Sequence, residues 1–156
     1  MVPYTYAFRH TPTIIERLLD QIPVGRFSES LSPDRFTLVE VVAHLADWEE
    51  IWLDRLVVAV EHPGSTFELY DEGQRAIDKK YAQKDIRHEL AVFASRRRDT
   101  ITFLEELAAE KWASPAVHPE AGPMTVKDFT QLISGHDIYH VEQISAYVTE
   151  LHELIP

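Results

Sequence analysis

Residues 37–56, TLVEVVAHLADWEEIWLDRL, decide the fold that we expect for this chain. Apolar side chains recur there at steps of three and four residues, which is the spacing of one face of an α-helix. They are Leu38, Val41, Val42, Leu45, Trp48, Ile51, Trp52 and Leu56. Thr37 and Glu40 have the form of a capping box, so the helix is predicted to begin there and to end at His62-Pro63-Gly64.

Helical spacing of apolar residues recurs in three other long segments. They are predicted to run from about residue 4 to residue 21, from about residue 85 to residue 111, and from a second capping pair, Thr125 and Asp128, towards the end of the chain. Ile86, Leu90, Phe93, Arg97, Ile101, Leu104 and Leu107 form the stripe of the third helix.

The segments between these helices carry turn-forming residues. Residues 24–36 and 114–123 contain glycine, serine and proline and are predicted to be loops, a shorter helix is predicted between Asp71 and Tyr81, and no strand is predicted. Long helices with one apolar stripe each must bury those stripes against one another. We therefore expect an all-α fold, an up-down antiparallel four-helix bundle with an extra short helix, in a single domain over residues 1–156.

The amino-acid composition excludes or disfavours several classes of function. The chain has no cysteine, which excludes disulfides, thiolate ligands and a cysteine nucleophile. Its formal charge of -11 disfavours binding to nucleic acid and to membrane surfaces, because both carry negative charge. The one tight basic run, Arg96-Arg97-Arg98, is interpreted as solvated. The N-terminal residues do not resemble a signal peptide, and no apolar run reaches the length of a membrane span, so the expected location is the cytoplasm.

Two histidines lie on the apolar stripe of the last helix, where histidine is unexpected. His136 and His140 share a face with Phe129, Ile133 and Ile144. Residues four apart on a helix differ by about 40° in direction and about 6 Å in height, so two imidazoles can converge on one ion. A shared metal would also provide a partner for polar groups that are costly to bury alone.

His44 is the third candidate ligand, because its spacing from Val41 and Trp48 turns it inward from the second helix. Three neutral histidines with an open position are typical of a catalytic metal site. Imidazole suits several transition metals, of which we expect zinc first and nickel second. The competing interpretation is that these histidines are hydrogen-bonded core residues without a metal.

Several other residues are candidates for supporting roles. Asp47 and Asp137, and also Glu40, lie near the proposed ligands along their helices and are candidates for a general base or for a carboxylate that orients a ligand. Gln143 lies near the histidine face, and His118 lies in the proline-rich loop within possible reach of a pocket. Trp48 and Trp52 are interpreted as core residues rather than as a platform for a substrate. His10, His62, His88 and His152 are interpreted as solvated or capping residues.

Three blocks of the sequence resemble the DinB/YfiT-like superfamily of metal-binding bundle proteins. They are residues 37–49 (TLVEVVAHLADWE), residues 122–128 (GPMTVKD) and residues 135–144 (GHDIYHVEQI), in the order and at the distances typical of that family. The resemblance covers most of the chain, although residues 60–115 match only in helical character. It implies a four-helix bundle with a divalent metal held by His44, His136 and His140, and a homodimer. It also implies that related members include thiol transferases and isomerases with low-molecular-weight thiol cofactors.

These observations leave three functional hypotheses. The first is a metal-dependent enzyme acting on a small molecule, of thiol S-transferase type with a small thiol as cofactor, or else a metal-dependent hydrolase. The second is a non-catalytic metal-binding module with a closed coordination sphere, such as a stress-related sensor or scaffold. The third is a helical interaction protein whose histidines belong to the core. An open position beside a pocket favours the first hypothesis.

Overall fold

The computed structural model describes residues 5–153, with side chains up to residue 150. Six helices and one hairpin follow one another: α1 Tyr6–Arg9, α2 Thr11–Leu19, α3 Leu38–Glu61, α4 Glu72–Asp78, α5 Ile86–Glu106, β1 Pro115–His118, β2 Gly122–Thr125 and α6 Val126–Glu153. Short 3-10 turns lie at Val24–Arg26, Tyr81–Gln83 and Ala109–Ala113. The predicted first residue of the bundle, Tyr4, and the side chains of Leu151 and His152 lie outside the described parts.

Helices α2, α3, α5 and α6 form the predicted four-helix bundle, and α4 is the predicted extra short helix. Helix α3 packs against α5 and α6, and α2 packs against the same two helices. The apolar interior has two main clusters, one around Leu45 and Phe93 and the other around Trp52 and Phe129. On α6, positions 136 and 140 lie between Ile133 of the second cluster and Ile144 of the first, so both histidines occur at the junction of the clusters.

The predicted first helix is interrupted at His10 and forms the two pieces α1 and α2. Pro12 explains the interruption, because proline has no amide hydrogen to donate to the carbonyl four residues earlier, which here belongs to Phe8. That carbonyl accepts from the amide of His10 and from a side chain of another helix, since Nη1 of Arg97 donates to it at 2.7 Å. The break therefore creates a main-chain acceptor inside the bundle.

Both predicted capping pairs are confirmed. The hydroxyl of Thr37 accepts from the amide of Glu40, and the carboxylate of Glu40 accepts from the amide of Thr37 at 2.8 Å. At the start of α6, the carboxylate of Asp128 accepts from the amide of Thr125 at 2.9 Å. Because the caps fix where α3 and α6 begin, they also fix the heights of the histidines further along each helix.

The prediction of a loop over residues 114–123 is wrong, because this segment contains an antiparallel hairpin. The sequence suggested a loop because it holds three prolines, and proline cannot donate a ladder hydrogen bond. In the hairpin, Pro123 lies opposite Val117, whose amide donates to Ser65 at 2.9 Å and whose carbonyl accepts from Phe67 at 2.9 Å. The missing N–H of Pro123 therefore removes no hydrogen bond from the hairpin, since the N–H and C=O of Val117 are directed towards residues 65–67 instead of towards Pro123.

The interpretation of residues 96–98 as a solvated run is wrong for Arg97, which is only 1% exposed. Its guanidinium makes buried ion pairs with Glu49 and Asp137. Arg98 is exposed, and Arg96 is half-buried with its Nη1 donating to the carbonyl of Ala46.

Helix α5, which is the third of the four predicted long helices, ends at Glu106, earlier than predicted, and a 3-10 turn follows it. None of the described helices has both the length and the apolar content that a membrane crossing requires.

Candidate metal centre

The three predicted ligands, His44 from α3 and His136 and His140 from α6, converge at one point in the bundle. Their Nε2 atoms face one another, with 3.0 Å between those of His44 and His136 and 3.2 Å between those of His136 and His140. Each ring offers one ligand atom, and these atoms all lie within 4.8 Å of one another. The structure therefore brings the whole predicted triad together.

The surroundings of the triad keep the imidazoles neutral. Burial, and after it the neighbouring ring of His140, lower the pKa of His44 to about 3. Burial and the two neighbouring rings hold the pKa of His136 well below its usual value. Burial also lowers the pKa of His140, although Gln143 and Asp137 oppose that change. Neutral rings retain the lone pairs that a cation needs.

Hydrogen bonding assigns the tautomer of His140. Its Nδ1 lies 3.0 Å from Oε1 of Gln143, which can only accept, so Nδ1 carries the proton and Nε2 keeps its lone pair. Metal-bound histidines typically donate their second N–H in this way. The Nδ1 atoms of His44 and His136 are buried and make no hydrogen bond among the described residues.

The triad fits a divalent metal on the chemistry of its donors. Histidine nitrogens that bind zinc at 2.0–2.1 Å in tetrahedral geometry lie about 3.3 Å from one another. The nitrogens here are 3.0 and 3.2 Å apart, close to that value. Direct hydrogen bonds satisfy these nitrogens poorly, because Nε2 of His140 has no proton to donate and one N–H on His136 would be shared between two lone pairs. A shared cation would satisfy all three at once.

Two adjoining cavities meet at His136. The larger, of about 680 Å³, is lined by Glu72, Met124, Asp128, Gln131, Leu132, Gly135, His136, Tyr139 and His140. The smaller, of about 180 Å³, is lined by Trp48, Trp52, Arg55, Leu69, Tyr70, Glu72, His118, Glu120, Leu132 and His136. The larger volume is within the range of small-molecule sites in proteins. The triad is therefore beside space that a ligand can occupy.

Comparison with known proteins identifies the family. Residues 7–144 match the model of the DinB superfamily. The chain belongs to the DinB superfamily. Among curated protein sequences, none matches it.

Solved structures with the same fold exist at low sequence identity. YfiT from Bacillus subtilis, described as a probable metal-dependent hydrolase with an unusual four-helix bundle topology, has a TM-score of 0.88 at 17% identity and aligns over 96% of this chain and 86% of its own. A mycothiol-dependent maleylpyruvate isomerase has a TM-score of 0.74 at 12% identity, over 90% of this chain and 59% of its own. A DinB-like protein from Bacillus subtilis has a TM-score of 0.62 at 19% identity, over 97% and 93%.

In this DinB-superfamily chain, Asp47 is held by an arginine and a tyrosine. Its carboxylate accepts from Nε and Nη2 of Arg75, the second at 3.0 Å, and from the hydroxyl of Tyr81 at 2.6 Å. Burial alone would raise the pKa of Asp47, but the hydrogen bonds from Arg75 and Tyr81 bring it below its usual value. Asp47 thus anchors α4 and the turn after it to α3, three residues from His44.

Asp137 is held in the buried network around Arg97. Its carboxylate accepts from both terminal nitrogens of Arg97, at 2.5 and 3.0 Å, and from the hydroxyl of Thr11 at 2.6 Å. Glu49 accepts two further hydrogen bonds from the same guanidinium, at 2.9 and 2.8 Å. The catalytic roles considered for Asp47 and Asp137 stay predictions, while the carboxylate of Glu40 is engaged at the N-terminus of α3.

Sequence reasoning placed His118 within possible reach of a pocket, and it lines the smaller cavity. Trp48 and Trp52 are core residues as predicted, and their exposed edges also line that cavity. Sequence reasoning missed Arg55 and Glu72. The spacing of Arg55 from Trp48 and Trp52 was the available signal for its inward orientation, whereas Glu72 lies on the short helix, where no periodic pattern was clear.

Glu72 lines both cavities and has an altered acidity. Desolvation, and after it the neighbouring carboxylates of Glu120 and Asp71, raise the pKa of Glu72. A carboxyl group in a cleft whose pKa is raised is a candidate acid or base. The metal centre therefore has a titratable carboxyl group at the boundary of the space around it.

Proposed function

We propose that this chain is a metal-dependent enzyme that transfers a small-molecule thiol to an electrophilic small molecule. The observation that supports this proposal is the position of His136, which belongs to the convergent triad and also lines both cavities. Two adjoining spaces at one triad suit a reaction with two partners, a thiol and its acceptor. We propose zinc as the ion, with nickel as the alternative, because neutral imidazole suits both.

The chemistry of this reaction needs a thiolate that the chain cannot provide itself, because it has no cysteine. A divalent cation at the triad would supply Lewis acidity, which lowers the pKa of a thiol that coordinates it. The thiol sulfur forms a bond to an electrophilic carbon, the thiol proton passes to a base, and the leaving group departs with its bonding electrons. We assign the role of that base to Glu72, because its carboxyl group lines both cavities.

The test begins with elemental analysis of untagged protein, which we expect to contain about one metal ion per chain. The protein is then incubated with 1-chloro-2,4-dinitrobenzene and a panel of thiols including cysteine and glutathione, and chloride release or thioether absorbance is followed. We expect acceleration by the metal-loaded protein and none by the His136→Ala, His140→Ala double variant. Loss of metal in that variant, with equal rates in both proteins, would reject the transferase.

A metal-dependent hydrolase is the second candidate, and Glu72 is the observation that favours it. A carboxyl group with a raised pKa could also serve as the base for a water that a metal activates. YfiT, which shares the fold, is described as a probable hydrolase. The two reactions are separated by omitting the thiol: ester or amide cleavage that needs only water and metal would support the hydrolase. Stoichiometric metal with neither reaction would support the non-catalytic module.

We also propose that the chain acts as a homodimer. Exposed apolar side chains on α2 and α6, Ile14 and Ile138, line one shallow groove and support this proposal. Light scattering after size-exclusion chromatography should give twice the chain mass, and Ile138→Glu should give the monomer. A monomer at all concentrations for the unmodified chain would reject the dimer.

A further inference from the structure

We propose that Arg55 and His118 form a subsite for a carboxylate group of the substrate, beside the metal centre. The subsite deepens the proposed function, on which its catalytic relevance rests, by naming the chemical class of one reactant. The two residues come from different elements, Arg55 from the middle of α3 and His118 from the end of β1. Both line the smaller cavity, which they share with His136.

Arg55 is a buried cation that lacks a carboxylate partner. The residue is 7% exposed, and none of the described acidic residues forms an ion pair with it. Its Nη2 donates to the carbonyl of Glu68 at 2.6 Å, and its Nε is buried without a hydrogen bond. A buried arginine is normally paired, because the uncompensated charge is costly to remove from water. Arg97, which is also buried, has two carboxylate partners.

Aromatic rings partly compensate the charge and hold the guanidinium in place. Its central carbon lies 5.6 Å from the ring centre of Trp52, 5.5 Å from that of Phe67 and 5.7 Å from that of Tyr70. Such contacts stabilise a cation but leave its N–H groups free to donate. The guanidinium is therefore preorganised for an anion, with little side-chain entropy left to lose on binding.

The tautomer of His118 also favours an anionic ligand. Its Nδ1 accepts from the amides of Glu120 and Ala121, each at 3.2 Å, so the proton of the neutral ring is on Nε2. That Nε2 lies 3.3 Å from Nη1 of Arg55, which is also a donor. Two N–H donors thus meet with no acceptor between them. A carboxylate oxygen can accept from both donors, and the two side chains would move apart to admit it.

The nearby acidic residues do not occupy this position. The carboxylate of Glu68 accepts from the hydroxyl of Tyr70 at 3.0 Å, and that of Glu120 is exposed at the rim of the cavity. Glu72, at the boundary with the larger cavity, contributes a second negative charge to the rim. These charges disfavour highly charged anions, whereas a single carboxylate on an apolar body matches the tryptophan and tyrosine rings of the lining.

The experiment measures binding of phenylacetate to the metal-loaded protein by quenching of tryptophan fluorescence, with phenylacetamide as the uncharged analogue. We expect the carboxylate to bind more tightly than the amide, and Arg55→Met to weaken carboxylate binding about tenfold without changing amide binding. Arg87→Met is the matched control, because it removes the same charge from an exposed residue that lines neither cavity. It should bind as the unmodified protein does.

Two further measurements distinguish a failure of the subsite proposal from a failure of the proposed function. His118→Leu should weaken phenylacetate binding while leaving metal content unchanged, and it provides the test if Arg55→Met does not fold. In the His136→Ala, His140→Ala variant, the dependence on Arg55 should persist without metal. Equal binding of the acid by Arg55→Met, His118→Leu and unmodified protein would overturn the subsite. So would failure of the unmodified protein to prefer the acid to the amide. Neither result bears on thiol transfer.

Discussion

Oε1 of Gln143 lies 3.0 Å from Nδ1 of His140 and thereby fixes which nitrogen of that ring faces the metal centre. Both residues are on α6, three positions apart, so the helix itself sets their contact. The remaining nitrogen, Nε2, is the one that approaches His136. The same helix therefore provides two of the candidate ligands and the group that orients one of them.

Removal of this acceptor should weaken metal binding. Hydrogen-bond partners of metal-bound histidines typically contribute about 10- to 100-fold in metal affinity. We expect Gln143→Ala to lower zinc affinity by about tenfold, measured by competition with a chromogenic chelator. Gln143→Glu should retain the affinity, since its carboxylate still accepts from Nδ1. Gln131→Ala, in the larger cavity, is the control and should bind zinc normally. Equal affinity for all four proteins would contradict the assigned tautomer.

The metal-free protein should lose stability as the pH falls from 7.5 to 5.5. The pKa of His44 is lowered to about 3 in the folded state, against 6.5 in the unfolded chain, and those of His136 and His140 are lowered too. The unfolded state therefore binds more protons below about pH 6.5, so the free energy of unfolding decreases as the pH falls in this range. Thermal unfolding in the presence of a chelator should show a lower Tm at pH 5.5.

Variants assign this pH dependence to the triad. His44→Gln should reduce the change in Tm between the two pH values, because it removes one buried group that titrates. His88→Gln should leave the change as it is, since that side chain is exposed. A Tm that does not depend on pH in the chelated protein would show that the triad is not buried as described.

Helix α4 is attached to the bundle by the ion pair between its Arg75 and Asp47 of α3. Because α4 carries Glu72 into the cavities, this ion pair positions the boundary of the site. We expect Arg75→Met to increase amide hydrogen exchange in residues 72–83 while exchange in α3 stays slow. Lys79→Met removes the same charge from an exposed position of the same segment and should not change exchange. Unchanged exchange in Arg75→Met would show that α4 is held by its other contacts.

The triad could be predicted from the sequence because helical geometry and caps are local. His136 and His140 are four residues apart, and the caps at Thr37 and Thr125 set where each helix begins. The hairpin could not be predicted in this way, since its strand β1 depends on the main chain of residues 65–67, about fifty positions earlier. Proline is normally unfavourable in a paired strand, but here the residue opposite Pro123, Val117, makes its main-chain hydrogen bonds to Ser65 and Phe67.

The error about Arg97 has a similar cause. Its spacing from Phe93 and Ile101 placed it on the apolar stripe of α5, yet its neighbours Arg96 and Arg98 suggested a solvated charge run. The decisive facts are the carboxylates of Glu49 and Asp137, which come from two other helices. Periodicity indicates that a residue is buried, whereas the partner that permits a buried charge is a property of the tertiary structure.

Arg97 gives the sharpest prediction about stability. Burial opposes the charge on this residue, but Glu49 and Asp137 together raise the pKa of Arg97 above its usual value. Its replacement by methionine would leave two buried carboxylates close together without a cation, and would also remove the side-chain donor to the carbonyl of Phe8. Breaking a buried ion pair by removing one partner costs about 3–5 kcal/mol. We therefore expect Arg97→Met to lower the free energy of unfolding by about that amount in urea titrations.

The neighbouring Arg98 supplies the control, because it is exposed and has the same charge. Arg98→Met should change the free energy of unfolding by less than about 0.5 kcal/mol. Neutralising the two unpaired carboxylates should recover stability. The triple variant Arg97→Met, Glu49→Gln, Asp137→Asn removes both charges, so we expect it to regain part of the lost free energy of unfolding. If Arg97→Met and Arg98→Met unfold at the same urea concentration, the network does not stabilise the junction of α1, α3, α5 and α6. Such a result would also weaken the reason to regard Asp137 as fixed beside the histidine triad, because Thr11 would then be the remaining donor to its carboxylate among the described residues.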